Sequence, residues 1–131
     1  AVIKNKVGAI GYVNQSYIKG KVVAAALQNK SGEYLKPSVI AGAKALNGIT
    51  LDKDLAGKNP NPSAIGAYPI ATLTWILAYK TGNGAKTQTV QDTLNYMLSS
   101  KAQNVAPSLG FVPLKGNILA KSKAAVKMIG K

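Results

Sequence analysis

LSSKAQNVAPSLGFVPL, residues 98–114, reads as a well-punctuated helix–helix–loop unit. An apolar helix end at Leu98 runs into a second short helical pattern. Ala102, Val105, Ala106 and Leu109 in that pattern share a helical spacing. Gly110 follows where a helix C-terminus favours a left-handed residue. Pro113, inside a Val-Pro-Leu exit, then blocks renewed helix.

Upstream, residues 87–98 carry Val90, Leu94, Met97 and Leu98 on one helical face, with Thr87 placed to cap it. Downstream, Ile118, Leu119, Val126 and Ile129 mark a last helix, with lysines near its C-terminal end, where cations suit the dipole. Residues 69–79, PIATLTWILAY, form the strongest strand pattern. Apolar residues fall on both parities, which predicts burial on both faces, with Trp75 in the core.

Further toward the start, VGAIGYV (residues 7–13) reads as a buried strand. Residues 14–19 predict a short helix capped by Asn14 and ended at Gly20. Residues 21–28 predict a strand, 29–32 a turn, and 33–36 the return strand of a hairpin. Ser38 is the expected N-cap of a helix with Val39, Ile40, Ala43 and Leu46 on one face, ending at Asn47-Gly48. Residues 50–67, which include Gly57, Pro60 and Pro62, read as loop. The order is strand, helix, hairpin, helix, loop, strand, then three helices. That is α/β, but unbalanced: one strong strand followed by three helices does not close a layered domain.

At 131 residues and 47% hydrophobic composition, the chain suits one ordered domain rather than a disordered segment. No apolar run is long enough to span a bilayer. The start, AVIKNK, shows no signal-peptide pattern and no initial Met, so a processed product or a piece of a longer protein is expected. Net charge is +13, from 17 lysines and no arginine against Glu33, Asp52, Asp54 and Asp92. The lysines are dispersed, and Arg, the residue for bidentate phosphate and guanine contacts, is absent. A solvated basic surface is therefore expected rather than a nucleic-acid interface.

Neither Cys nor His is present, which removes the usual zinc sites and Cys or His nucleophile–base pairs. Asp52 and Asp54 lie two apart in a loop and read as solvated. Ser99 and Ser100 have no His to activate them, and Ser100 and Lys101, as helix neighbours, do not face each other. Gly8 and Gly11 lack the rest of a dinucleotide fingerprint, and residues 81–87, TGNGAKT, lack Walker spacing. No enzyme, metal site or cofactor is expected.

Four stretches in order carry a resemblance. They are GAIGYV (8–13), the hairpin and helix start ending GEYLKPS (32–38), YPIATLTWIL (68–77) and the tail LSSKAQNVAPSLGFVPL (98–114). Together they resemble the C-terminal part of periplasmic phosphate-binding proteins of the PstS type, the type II solute-binding components of phosphate ABC transporters. The resemblance implies an α/β two-lobed fold that is incomplete without an N-terminal portion. Residues 1–67 would be the C-terminal part of the second lobe, 68–72 the hinge crossover with Tyr68, Pro69 and Ile70, and 73–131 the C-terminal part of the first lobe.

The implied function is capture of inorganic phosphate outside the cytoplasmic membrane and delivery to the transporter permease. Membrane contact would come only through the permease or a lipid anchor. The family's phosphate ligands fall in the N-terminal portion, so no phosphate-binding residue is assigned here, and this chain alone is expected not to bind phosphate tightly. The alternative is a stand-alone basic interaction protein that binds a polyanion or a cell surface.

Overall fold

The structure, a computed structural model, describes residues 5–58 and 61–131. The opening four residues and Pro60, both read above, lie outside them. Strands β1 (Leu27–Gln28) and β2 (Tyr34–Leu35) pair antiparallel, with Leu27 opposite Leu35 and Gln28 opposite Tyr34. Helix α1 (Val39–Leu46) follows, then a long irregular stretch. Helices α2 (Thr87–Met97), α3 (Ser100–Val105) and α4 (Gly116–Val126) fill the second half. A 3-10 turn, Ala106–Leu109, extends α3.

The hairpin and the helix punctuation follow the sequence. Ser38 is extended and its hydroxyl accepts from the Ala41 N–H at 3.1 Å, which satisfies one of the orphan amides at the start of α1. Ser99 caps α3 in the same way, through the Ala102 N–H at 3.3 Å. Gly110 adopts φ 80°, the left-handed stop that the tail predicts. Its N–H reaches the Pro107 carbonyl at 3.0 Å, and the backbone of Ser16 crosses so close that a Cβ on Gly110 would stand 3.0 Å from the Ser16 Cα.

Other expectations are corrected. Residues 14–19 form only a 3-10 turn, Gln15–Tyr17, and Asn14 makes no side-chain cap. Of 21–28, only Leu27 and Gln28 pair, because β2 offers them just two residues opposite. The buried face of α1 is Ala41, Gly42, Ala45 and Leu46, while Ile40 is exposed. Small residues face inward there because α1 lies close against another segment: a Cβ on Gly42 would stand 2.7 Å from Val112 Cγ2. Thr87 does not cap α2. Its hydroxyl donates back to the Gly84 carbonyl at 2.8 Å, within the 3-10 turn Gly84–Lys86 that leads into the helix.

The two expected strands at 7–13 and 69–79 have no strand pairing. A strand is stable only when a neighbour takes up its amides and carbonyls, and none is present here for these segments. Residues 71–79 nonetheless keep a period of two at their start. Ala71 and Leu73 pack on a cluster of Leu46, Ile49 and Leu51, together with Leu55, Val112 and Ile118. Trp75 Nε1 donates to the Leu55 carbonyl at 2.8 Å, but the indole stays 45% exposed, so it is not a core residue. The opposite parity, Ile70 and Ile76, is uncovered, and so are Leu77 and Tyr79 on the same parity as Leu73, so the expected burial on both faces is corrected to partial cover of Ala71 and Leu73 alone.

The chain exposes 9634 Å². A compact monomer of this mass exposes about 6,600 Å² by the usual scaling. The apolar residues left uncovered at 7–13 and 70–79 contribute to that excess.

Candidate functional site

Residues 66–69 are fastened at four consecutive backbone positions just ahead of the extended segment. The Gly66 N–H donates to Glu33 Oε2 at 2.6 Å, and the Ala67 carbonyl accepts from Asn29 Nδ2 at 3.1 Å. The Tyr68 N–H donates to the Ala41 carbonyl at 3.1 Å, and the Pro69 carbonyl accepts from the Asn61 N–H at 3.1 Å. Ala67 is fully buried, and Tyr68 is half-buried, with burial pushing its phenol pKa up. Beyond Pro69 this regularity ends, and Ile70 is 71% exposed.

The hairpin turn supplies the anchors. Asn29 is the one buried polar residue among the described residues, and every polar atom of its side chain is engaged. Its Oδ1 accepts from the Ser31 N–H, the Ser31 hydroxyl and the Glu33 N–H, at 3.1, 2.8 and 2.9 Å. Its amide donates to Glu33 Oε2 at 3.0 Å as well as to Ala67. This satisfaction lets a buried amide stabilise the turn rather than burden it.

Glu33 Oε2 accepts from Gly66, Asn29 and Ser31. These donors, led by the Gly66 amide and joined by the charge of nearby Lys44, hold its carboxyl below the ordinary glutamate value. The sequence reading singled out Tyr68, Pro69 and Ile70, of which the first two lie in this fastened segment, but missed Asn29 and Glu33. The signal was the spacing Asn29-x-Ser31-x-Glu33 across a turn, which lets an Asx side chain close the loop.

Two of the residues weighed for catalysis have structural roles. Asp52 Oδ1 accepts from the Asp54 and Ala56 N–H groups, each at 2.9 Å, closing its own loop. Ser99 is a helix cap. Among the described residues no group of three or more carboxylates stands ready for a metal ion.

Two open clefts remain. One, of about 370 Å³, is lined by Gln15, Ile18, Val22, Lys36 and Pro37 among others. The other, of about 320 Å³, lies between α3 and the start of α4, beside Gln103 and Lys115. Gln103 there is already committed, accepting from the Leu114 N–H at 2.6 Å and donating to the Met97 carbonyl at 2.8 Å. The second cleft's lining also includes Ser100 and Asn104, and one lysine lines each cleft, Lys36 in the first and Lys115 in the second. No helix of the described residues is long and apolar enough to cross a membrane.

No protein-family model matches the chain. It is similar to the phosphate-binding protein PstS of Methanocaldococcus jannaschii, 28% identical over 98% of this chain and 37% of that protein. It is also similar to the phosphate-binding protein PstS of Xylella fastidiosa strain Temecula1, 31% identical over 89% of this chain and 33% of that protein. The chain thus spans about a third of the length of the curated relatives it matches.

Proposed function

We propose that this chain is the C-terminal part of an extracytoplasmic solute-binding protein that captures inorganic phosphate for an ABC transporter. In this reading residues 1–67 belong to one lobe, 73–131 to the other, and 68–72 cross between them. The observation that carries it is the change at Pro69. Four hydrogen-bonded backbone positions at 66–69 are followed by an extended apolar segment with one face uncovered. A fixed anchor beside a strand awaiting a neighbour suits the exit from one lobe and entry into the sheet of another. Similarity to two phosphate-binding proteins, each about three times as long as the matched stretch, supports the same reading.

Such a division asks for rearrangement. Here the two parts touch: Lys121 Nζ donates to the Leu51 carbonyl at 2.7 Å, and Gly42 lies against Val112. In a two-lobed protein those contacts would be exchanged for contacts with the remaining chain. In this reading the chain's role is scaffold and crossover, with the phosphate ligands supplied by the rest of the protein.

Calorimetric titration of phosphate into the full-length protein and into the 131-residue chain tests this. One tight site in the full-length protein and none in the chain is the expected pair of results. A single micromolar site in the isolated chain would move the ligand residues into it. Absence of phosphate binding by the full-length protein would end the phosphate reading.

A further inference from the structure

The C-terminal end of α4 meets the chain around residues 80–87. The Gly130 N–H donates to the Lys80 carbonyl at 2.6 Å, and Gln91 Nε2 donates to the Ile129 carbonyl at 2.7 Å. The Thr87 methyl lies 2.6 Å from where a Cβ on Gly130 would sit. These contacts bring Lys80, Lys86, Lys127 and Lys131, from two distant stretches, to one edge of the molecule. All four are exposed.

Three of the chain's four carboxylates, those of Glu33, Asp52 and Asp92, accept hydrogen bonds from groups other than these lysines. No acidic residue follows Asp92, whose Oδ1 accepts from Gln88 Nε2 at 2.8 Å. Glu33 is tied to the hairpin and Asp52 to its own loop.

We propose that this edge docks on the anionic phosphates of a lipid membrane surface. Lysine ammonium groups are compact point charges that suit a diffuse array of headgroups, and no Arg is present for bidentate recognition of one phosphate. Met128, between Lys127 and Lys131, is 46% exposed and offers an apolar side chain to the interface. None of the four lysines lines either of the two clefts described above. The surface uses none of residues 71–79. It therefore stands whether or not that segment pairs with further strands, and it does not depend on the phosphate reading.

Co-sedimentation of the full-length protein with phosphatidylglycerol–phosphatidylcholine vesicles, against phosphatidylcholine alone, tests it. Binding to the anionic vesicles only, lost at high salt, is expected. Each lysine at an anionic surface is worth about fivefold in affinity, so K80Q/K86Q/K127Q/K131Q should weaken binding about a hundredfold or more. K19Q/K21Q/K36Q/K53Q removes the same charge from other exposed positions and should leave binding nearly unchanged. Equal losses in the two quadruple variants would assign the effect to net charge and overturn the proposal. So would no binding to anionic vesicles, or tighter binding to polyphosphate or DNA than to the vesicles.

Discussion

Glu33 shows how one carboxylate can fix the position of a distant loop. Its Oε2 gathers the Gly66 amide, the Asn29 amide and the Ser31 hydroxyl, so the hairpin and the 66–69 segment share an acceptor. Those donors favour the ionised form and lower its pKa below the ordinary 4.5. A carboxyl whose folded pKa is depressed stabilises the fold above its unfolded pKa. That contribution is lost as pH falls through the lower folded value. Glu33→Gln should therefore lower the unfolding midpoint near neutral pH and lose less relative to the parent as pH falls through the lowered folded value, below which both side chains are neutral. Urea titrations of both proteins across pH 3 to 7, on the full-length protein, check this. A gap between them that does not change with pH would remove the charge from the account.

The elements separate what a sequence states locally from what it states only through contact. Helix stops and caps are local. Ser38 and Gly110 stand where the sequence puts them, whereas the caps expected at Asn14 and Thr87 do not form and Ser99 caps a helix unforeseen. Buried faces and strand pairing are not local. α1 buries Ala41, Gly42 and Ala45 rather than Ile40, because the neighbour it meets, Val112, lies far along the chain. For the same reason the ties that fasten residues 67–69 to Asn29, Ala41 and Asn61 were not legible, since each partner lies elsewhere along the chain.

Gly42→Ala sets local preference against contact. In a helix interior Ala is favoured over Gly by about 1 kcal/mol. Here its Cβ would stand 2.7 Å from Val112 Cγ2, and a β-branched side chain has little rotamer freedom with which to withdraw. Overpacking of this kind costs about 1–3 kcal/mol. The expected balance in the 131-residue chain, where this contact is made, is a net loss of stability of about 1 kcal/mol in denaturant unfolding. Restoration by a second change, Val112→Ala, would trace that loss to this contact. A stabilised Gly42→Ala variant would show that α1 and residue 112 do not meet.

Considered whole, the molecule leaves too much apolar surface in water for its mass. Its 9634 Å² exceeds the roughly 6,600 Å² of a compact monomer of 13.6 kDa. Much of the uncovered apolar area belongs to two extended segments. Val7, Ile10 and Tyr12 in the first and Ile76, Leu77 and Tyr79 in the second are more than half exposed. Both stretches carry the β-branched and aromatic residues that favour a pleated, half-buried surface. Both also have unpaired backbone amides, whose burial without partners would cost several kcal/mol each.

The economical way to cover both is to add hydrogen-bonded strands on either side, which a protein three times this length can supply. Hydrogen exchange distinguishes the two situations segment by segment. In the isolated 131-residue chain, amides across 7–13 and 76–79 should exchange at the rates of open chain. In the full-length protein the same amides should be slowed by orders of magnitude, as core strands are. Protection of 71–79 but not of 7–13 would confine the sheet to the second segment. Fast exchange of both in the full-length protein would mean that neither is a strand, and the two-lobed assembly proposed for this chain would lose its structural basis.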